Sequence, residues 1–326
     1  MPNKKVYPKI AIRSKNELAK RLASKKIPFN ETLAIIKDVS INKDKYWHDN
    51  LKESKIEKNK YVRSAYKTPL GYLLKAFDAR VLSKCDYMLP SFIFGGVSGQ
   101  NHVRAAKNLI AGKDRAYFKV DLEKFFEQIS IDNVYVFLIK SGCSKEIARF
   151  MSEMCCIPMG SKDNPSSNKV LARGFSTSPR LAVWCNIFAF LTLDQKLGRI
   201  LKHTNYKLSV YVDDIGVTSK SKDLALMNKA FEITKAVLRK NGLKTNDDIN
   251  KSKPPVKLSG KEEYLGLRLG NRKITIGLKT QKKLAGIKAA TRKDLKKRKI
   301  LKETLRGLRI YNNYVKKTNS EEFKKT

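Results

Sequence analysis

Several things are scarce in this 326-residue chain, and each scarcity closes off a class of protein. No stretch reaches the ~18 consecutive apolar residues that a membrane helix needs, so no membrane partner is expected. The residues after Met1-Pro2-Asn3-Lys4-Lys5 form no apolar run, which predicts no secretory leader. The five cysteines (Cys85, Cys143, Cys155, Cys156 and Cys185) are odd in number and show no C-x-x-C spacing. They read as buried or free thiols in a reducing compartment, not as a disulfide frame or a zinc site. The three histidines, His48, His102 and His203, stand in no ligand-like spacing. Acidic residues are the scarcest relative to their partners: 30 Asp and Glu face 69 Lys and Arg, a formal charge of +39. That excess is larger than solubility requires and predicts a polyanion as partner, bound with strong salt dependence.

What is present is a foldable chain, 41% hydrophobic and long enough for two or three subdomains around a core. Residues 1–60 read as a basic helical extension, with Leu18, Leu22, Leu33, Ile35 and Ile36 in apolar stripes broken at Pro28. A basic strand ending before Pro69 follows, then an amphipathic helix carrying Leu70, Leu73, Leu74, Phe77 and Val81. Gly95-Gly96 reads as an ordinary turn, and the Ser-, Asn- and Lys-rich stretch 158–170 as a loop. Ser178-Pro179 reads as an N-cap and first helical residue after the loop containing Gly174. From Lys279 to Thr326 there are 17 Lys and Arg against 4 acidic residues, on helices with one apolar and one basic face.

Chemistry is concentrated at two places. Ala116–Asp121 reads as a strand that ends on a carboxylate, with Phe125-Phe126 just beyond. In Leu208-Ser209-Val210-Tyr211-Val212-Asp213-Asp214-Ile215-Gly216-Val217-Thr218, apolar and polar residues alternate on both sides of an Asp pair. This predicts two strands joined by a tight turn with the aspartates at its tip. If the two strands are neighbours, Asp121, Asp213 and Asp214 converge. Such a cluster repels itself unless hard divalent cations, Mg²⁺ or Mn²⁺, sit between the oxygens. Two such ions make the apparatus of in-line phosphoryl transfer, acting on the attacking 3′-oxygen and the leaving pyrophosphate.

The order of motifs is more specific than any one of them. Phe118-x-x-Asp121-x-x-x-x-Phe126 is followed by Leu171-x-x-Gly174-x-x-x-Ser178-Pro179, then by Tyr211-Val212-Asp213-Asp214. After these come Gly242-Leu243-x-x-Asn246 with a lysine beyond it, and Tyr264-Leu265-Gly266-Leu267. Over roughly residues 60–280 this resembles motifs A to E of reverse transcriptases, most of all the retron, group II intron and phage-defence branch of prokaryotes. The resemblance implies an α+β right-hand polymerase, with fingers and palm over residues 61–278 and a basic helical thumb over 279–326. It implies Asp121 and Asp213 as ligands of two Mg²⁺ (or Mn²⁺) ions with Asp214 in support, and Phe126 as the ring that excludes a ribose 2′-hydroxyl. Arg63 is implied to face the triphosphate, Arg173 and Gly174 to border the nucleotide, and Lys251 or Lys253 to protonate pyrophosphate. Tyr264, Leu265, Gly266 and Leu267 are the implied primer grip. The implied partners are a structured non-coding RNA template, dNTPs and a cDNA product, with an effector protein or a second copy of the chain as further candidates, in the cytoplasm of a prokaryote.

The sequence also departs from that pattern. Arg173 stands where the family usually carries Gln, the terminal His of the retron Asn-Ala-x-x-His element is absent near Asn101–Asn108, and Tyr264-Leu265-Gly266 replaces the retron Val-Thr-Gly. These departures leave two competitors to a templated polymerase. One is a template-independent polymerase of the abortive-infection kind, with a protein hydroxyl as one option for its primer. The other is an idle RNA-binding scaffold, which would have no use for a repulsive carboxylate cluster.

Overall fold

The computed structural model of the chain describes residues 6–110, 115–220, 223–293 and 295–320. The N-terminal stripes form α1 (Lys15–Leu22) and α2 (Phe29–Asn42), the first started by Ser14, whose hydroxyl accepts from the Glu17 N–H. Two short strands, β1 (His48–Asp49) and β2 (Arg63–Ser64), then pair antiparallel. That pairing ties the N-terminal extension to the segment after residue 60. Helix α3 (Pro69–Phe77) starts on Thr68 with proline in its first turn and buries Leu70, Leu73, Leu74 and Phe77. Helix α4 (His102–Asn108) is capped by Asn101.

The middle of the chain builds the main sheet. Strand β3 (Ala116–Asp121) is followed by α5 (Ile131–Lys140) and α6 (Lys145–Cys155). The polar stretch expected to be a loop is instead an antiparallel hairpin of β4 (Cys156–Gly160) and β5 (Pro165–Leu171). Its strand ends are apolar and buried at Cys156, Ile157, Val170 and Leu171, and the Ser- and Asn-rich part is the exposed far end. Helices α7 (Ser178–Cys185) and α8 (Ile187–Ile200) follow. Ser178 does not cap α7 as expected. Its hydroxyl donates to the Ala172 carbonyl at 2.6 Å, tying the preceding loop shut. Strands β6 (Lys207–Tyr211) and β7 (Asp214–Ser219), helix α9 (Leu224–Lys240) and strand β8 (Lys253–Lys257) complete the unit. The sheet order is β6-β7-β3-β8, with every neighbour antiparallel. Pro254 and Pro255 lie in β8, an edge strand, where a missing N–H is tolerated. The core against this sheet includes Phe118 edge-on to Phe231 at 5.4 Å, and Trp184 stacked on Phe137 at 6.0 Å.

A second apolar cluster lies beyond the sheet. It joins α4 to a three-stranded sheet of β9 (Glu263–Tyr264), β10 (Leu267–Leu269) and β11 (Ile274–Ile276). Helices α10 (Leu278–Lys293) and α11 (Leu295–Ser320) pack on one another, and α11 returns to this cluster with Val315 buried. The Asn319 amide grips β11 at both the N–H and the C=O of Ile274, each at 2.9 Å. All five cysteines are free thiols, and burial pushes the Cys155 thiol up to about 12. No helix among the described residues is long and apolar enough to cross a membrane.

Candidate active site

Strand β3 lies between β7 and β8, and its register against β7 sets Asp121 opposite Asp214. The β6–β7 turn is closed by the Tyr211–Asp214 pair and leaves Val212 and Asp213 at the tip. Asp213 is fastened just beyond β3 through its own carbonyl, which accepts from the Leu122 N–H at 2.9 Å. Sheet pairing alone therefore gathers all three carboxylates at one end of two neighbouring strands.

The tip is strained. Val212 has φ +57°, a region where a β-branched residue is an outlier and glycine the usual occupant. Such strain costs about 1–3 kcal/mol and persists only where the surroundings impose it. Gly95 is one of those surroundings. A Cβ at Gly95 would lie 2.3 Å from the Val212 nitrogen, so only glycine lets this segment press on the turn. The same segment is laced to β6 by hydrogen bonds from Phe94 N–H to Val210 C=O (2.9 Å) and from Val210 N–H to Phe92 C=O (2.8 Å).

Each carboxylate has its own environment. Asn246 donates its side-chain amide to Asp121 Oδ2 at 3.2 Å and its backbone N–H to the Asp121 carbonyl at 2.8 Å. Burial, with the neighbouring charges of Asp214 and Asp121, pushes the Asp213 carboxyl up to about 6. Burial also raises Asp214, against the pull of Lys119, whose ammonium forms an ion pair with it. Among the described residues no three acid, imidazole or thiol groups close around one point as a finished cation cage. The donor set nonetheless fits hard cations: all-oxygen, partly buried, and mutually repulsive enough to raise proton affinity.

The profile of a protein family described as reverse transcriptase (RNA-dependent DNA polymerase) matches residues 56–269, more than half of the chain and all of this geometry. The chain belongs to the reverse transcriptase family. It is therefore an RNA-directed DNA polymerase, a nucleotidyltransferase. Among curated proteins no match is found.

The other sequence-derived positions of this reverse transcriptase divide sharply. Phe126, Arg173 and Gly174 come together. Arg173 sits with its guanidinium 5.0 Å from the Phe126 ring centroid, and its charge reaches Asp213. Arg63 is a correction. Its guanidinium is buried, ion-paired with Asp49, bonded to the Gly160 carbonyl and stacked between Trp47 (5.3 Å) and Tyr61 (5.0 Å). Burial lowers it to about 10, and these contacts leave it no free face for a triphosphate. Lys251 is exposed and its charge lowers Asp214, whereas Lys253 lies in β8 across from Lys119. Of the expected primer grip, Tyr264 and Leu267 are fully buried and cannot touch a primer. Tyr264 instead props the β6–β7 hairpin, donating its hydroxyl toward the carbonyls of Asp214 (2.9 Å) and Ser209 (3.1 Å). Leu265 (φ +53°) and Gly266 (φ +73°) form the two-residue turn between β9 and β10.

Sequence reasoning missed Lys119, Ser252 and Glu127. Lys119 is two residues before Asp121 on the same strand face, so strand alternation alone carried that signal. Ser252 accepts from the Asp121 N–H at 3.1 Å, and Glu127 clasps Arg173. No spacing announces either one.

Proposed function

We propose that this reverse transcriptase copies a cognate structured non-coding RNA into DNA in the manner of retron and phage-defence enzymes, inside a prokaryotic cell. Asp121 and Asp213 hold two Mg²⁺ ions, with Asp214 in support. The observation that carries the reading is the register of Asp121 against Asp214 beside the turn residue Asp213. When bound, the cations supply positive charge at the attacking 3′-oxygen and the leaving pyrophosphate. The chain's own groups do the rest. Asn246 orients Asp121, and Lys119 offsets the charge of Asp214. Phe126 excludes the ribose 2′-hydroxyl, and Arg173 with Gly174 borders the nucleotide. Lys251, whose charge already acts on Asp214, donates the Nζ proton to pyrophosphate. Leu265 and Gly266 support the primer, and α10 and α11, as the thumb of a right hand, lie along the duplex with their lysines and arginines. dNTPs are the substrates and cDNA the product, delivered to an effector protein or acting through a second copy of the chain.

The test is to purify the protein from cells carrying its native locus and sequence the nucleic acid it retains. The expected result is one structured RNA together with DNA complementary to it. DNA with no counterpart in that RNA would instead establish untemplated addition.

A further inference from the structure

Arg173 stands where reverse transcriptases usually carry glutamine, and a largely buried acid, Glu127, pairs with it. Glu127 takes its guanidinium in a two-pronged grip, accepting from Nε at 3.0 Å and from Nη2 at 2.9 Å. Both side chains are largely buried, 21% exposed for Arg173 and 13% for Glu127. A bidentate pair fixes direction as well as distance. Here the direction lays the guanidinium on the ring of Phe126, the residue next to Glu127 in the short helical turn Phe125–Gln128.

The clasp is anchored at both ends. On the Arg173 side, its carbonyl accepts from the Arg63 N–H at 2.7 Å. Gly174 (φ +101°) permits that approach, since a Cβ there would lie 2.3 Å from the Arg63 carbonyl oxygen. On the Glu127 side, the Gln128 amide oxygen accepts from the Lys244 N–H at 2.7 Å, pinning the turn. The pair also lines a small pocket with Tyr61, Arg63 and Leu171. The guanidinium so held lies over the Phe126 ring.

We propose that Glu127 is a specificity-determining positioning residue, which holds Arg173 over Phe126 and so fixes the ring that selects the sugar. This rests on the reading of Phe126 as the residue that excludes the 2′-hydroxyl. A ring clamped on one face cannot yield to a ribose. A ring released from the clamp can rotate, and the freed arginine is drawn toward Asp213.

The experiment measures kcat/KM for a dNTP and for the matching rNTP in wild type, Glu127→Gln, Arg173→Gln, the double variant and Phe126→Ala. Melting temperatures are followed in parallel. Glu127→Gln is expected to lose about tenfold in sugar discrimination. Because Glu127 acts only through Arg173, the double variant is expected to be no less selective than Arg173→Gln alone. Wild-type discrimination in Glu127→Gln, or losses that multiply in the double variant, would overturn the proposal. If Glu127→Gln fails to fold, the double variant leaves no unmatched charge and is compared directly with wild type, and unchanged selectivity there overturns it equally. Phe126→Ala separates the two layers: wild-type selectivity in that variant removes the role of Phe126 itself, whereas a large loss there with none in Glu127→Gln removes the clamp alone.

Discussion

Asp213 is the residue whose environment says most. Burial, Asp214 and Asp121 hold its carboxyl protonated up to about 6, against roughly 3.9 for an unfolded aspartate. In the absence of cations, the stability that this proton contributes is fully present below the unfolded value and is lost as pH rises through about 6. A divalent cation competes for the same oxygens and offsets that loss. The rise in melting temperature on adding Mg²⁺ to metal-free protein is therefore expected to grow between pH 5 and pH 7.5. In Asp213→Asn it should be smaller and should vary less with pH. An increment that shrinks as pH rises would contradict the assignment of this site to cations. The convergence of the aspartates was legible from sequence because strand alternation placed each at a strand end and the order of the motifs made the two strands expected neighbours, as they are. Arg63 was misjudged because a sequence displays a charge and not its counter-ion. Asp49, across the β1–β2 pairing, neutralises it.

At the scale of elements, the β6–β7 hairpin is a strained turn held in place by its neighbours. Gly95 presses on Val212 from one side and Tyr264 supports the strands from the other. Both residues stood in the sequence with different readings, Gly95 as a plain turn and Tyr264 as part of a primer grip. Their work is packing across long sequence separations, which local patterns do not report. Gly95→Ala sets a methyl against the backbone of the turn and is expected to cost about 1–3 kcal/mol, a fall of several degrees in melting temperature. Polymerisation should fall much further than stability, because the turn carrying Asp213 must shift. Wild-type kcat in a folded Gly95→Ala protein would show that the turn does not depend on this contact. A similar linkage joins α11 to the hairpin: His102 stacks on Tyr311 at 5.7 Å, bonds its hydroxyl through Nε2 at 2.9 Å, and meets Tyr211 edge-on at 6.5 Å. The polar hairpin β4–β5 escaped sequence reading because its pairing is set by buried ends and not by its exposed, Ser-rich middle.

For the whole molecule, a charge of +39 and a carboxylate cluster in one chain pose opposite demands. Under the proposed function, the basic residues meet the phosphates of the nucleic acid and the acidic cluster takes the cations. The order of the motifs was readable in sequence. The strand order β6-β7-β3-β8, which turns that order into a site, was not, because it pairs segments far apart in the chain. The two demands are separable by one substitution. The most direct measurement is RNA-templated dNTP incorporation by wild type and Asp213→Asn, with RNA affinity followed over a salt series on the same preparations. Synthesis is expected to fall by at least about 10²–10³-fold. RNA affinity and its slope against salt are expected to stay as in wild type, since Asp213 is an acid and supplies no ion pair to a phosphate. Equal synthesis by the two proteins would contradict the account at its centre.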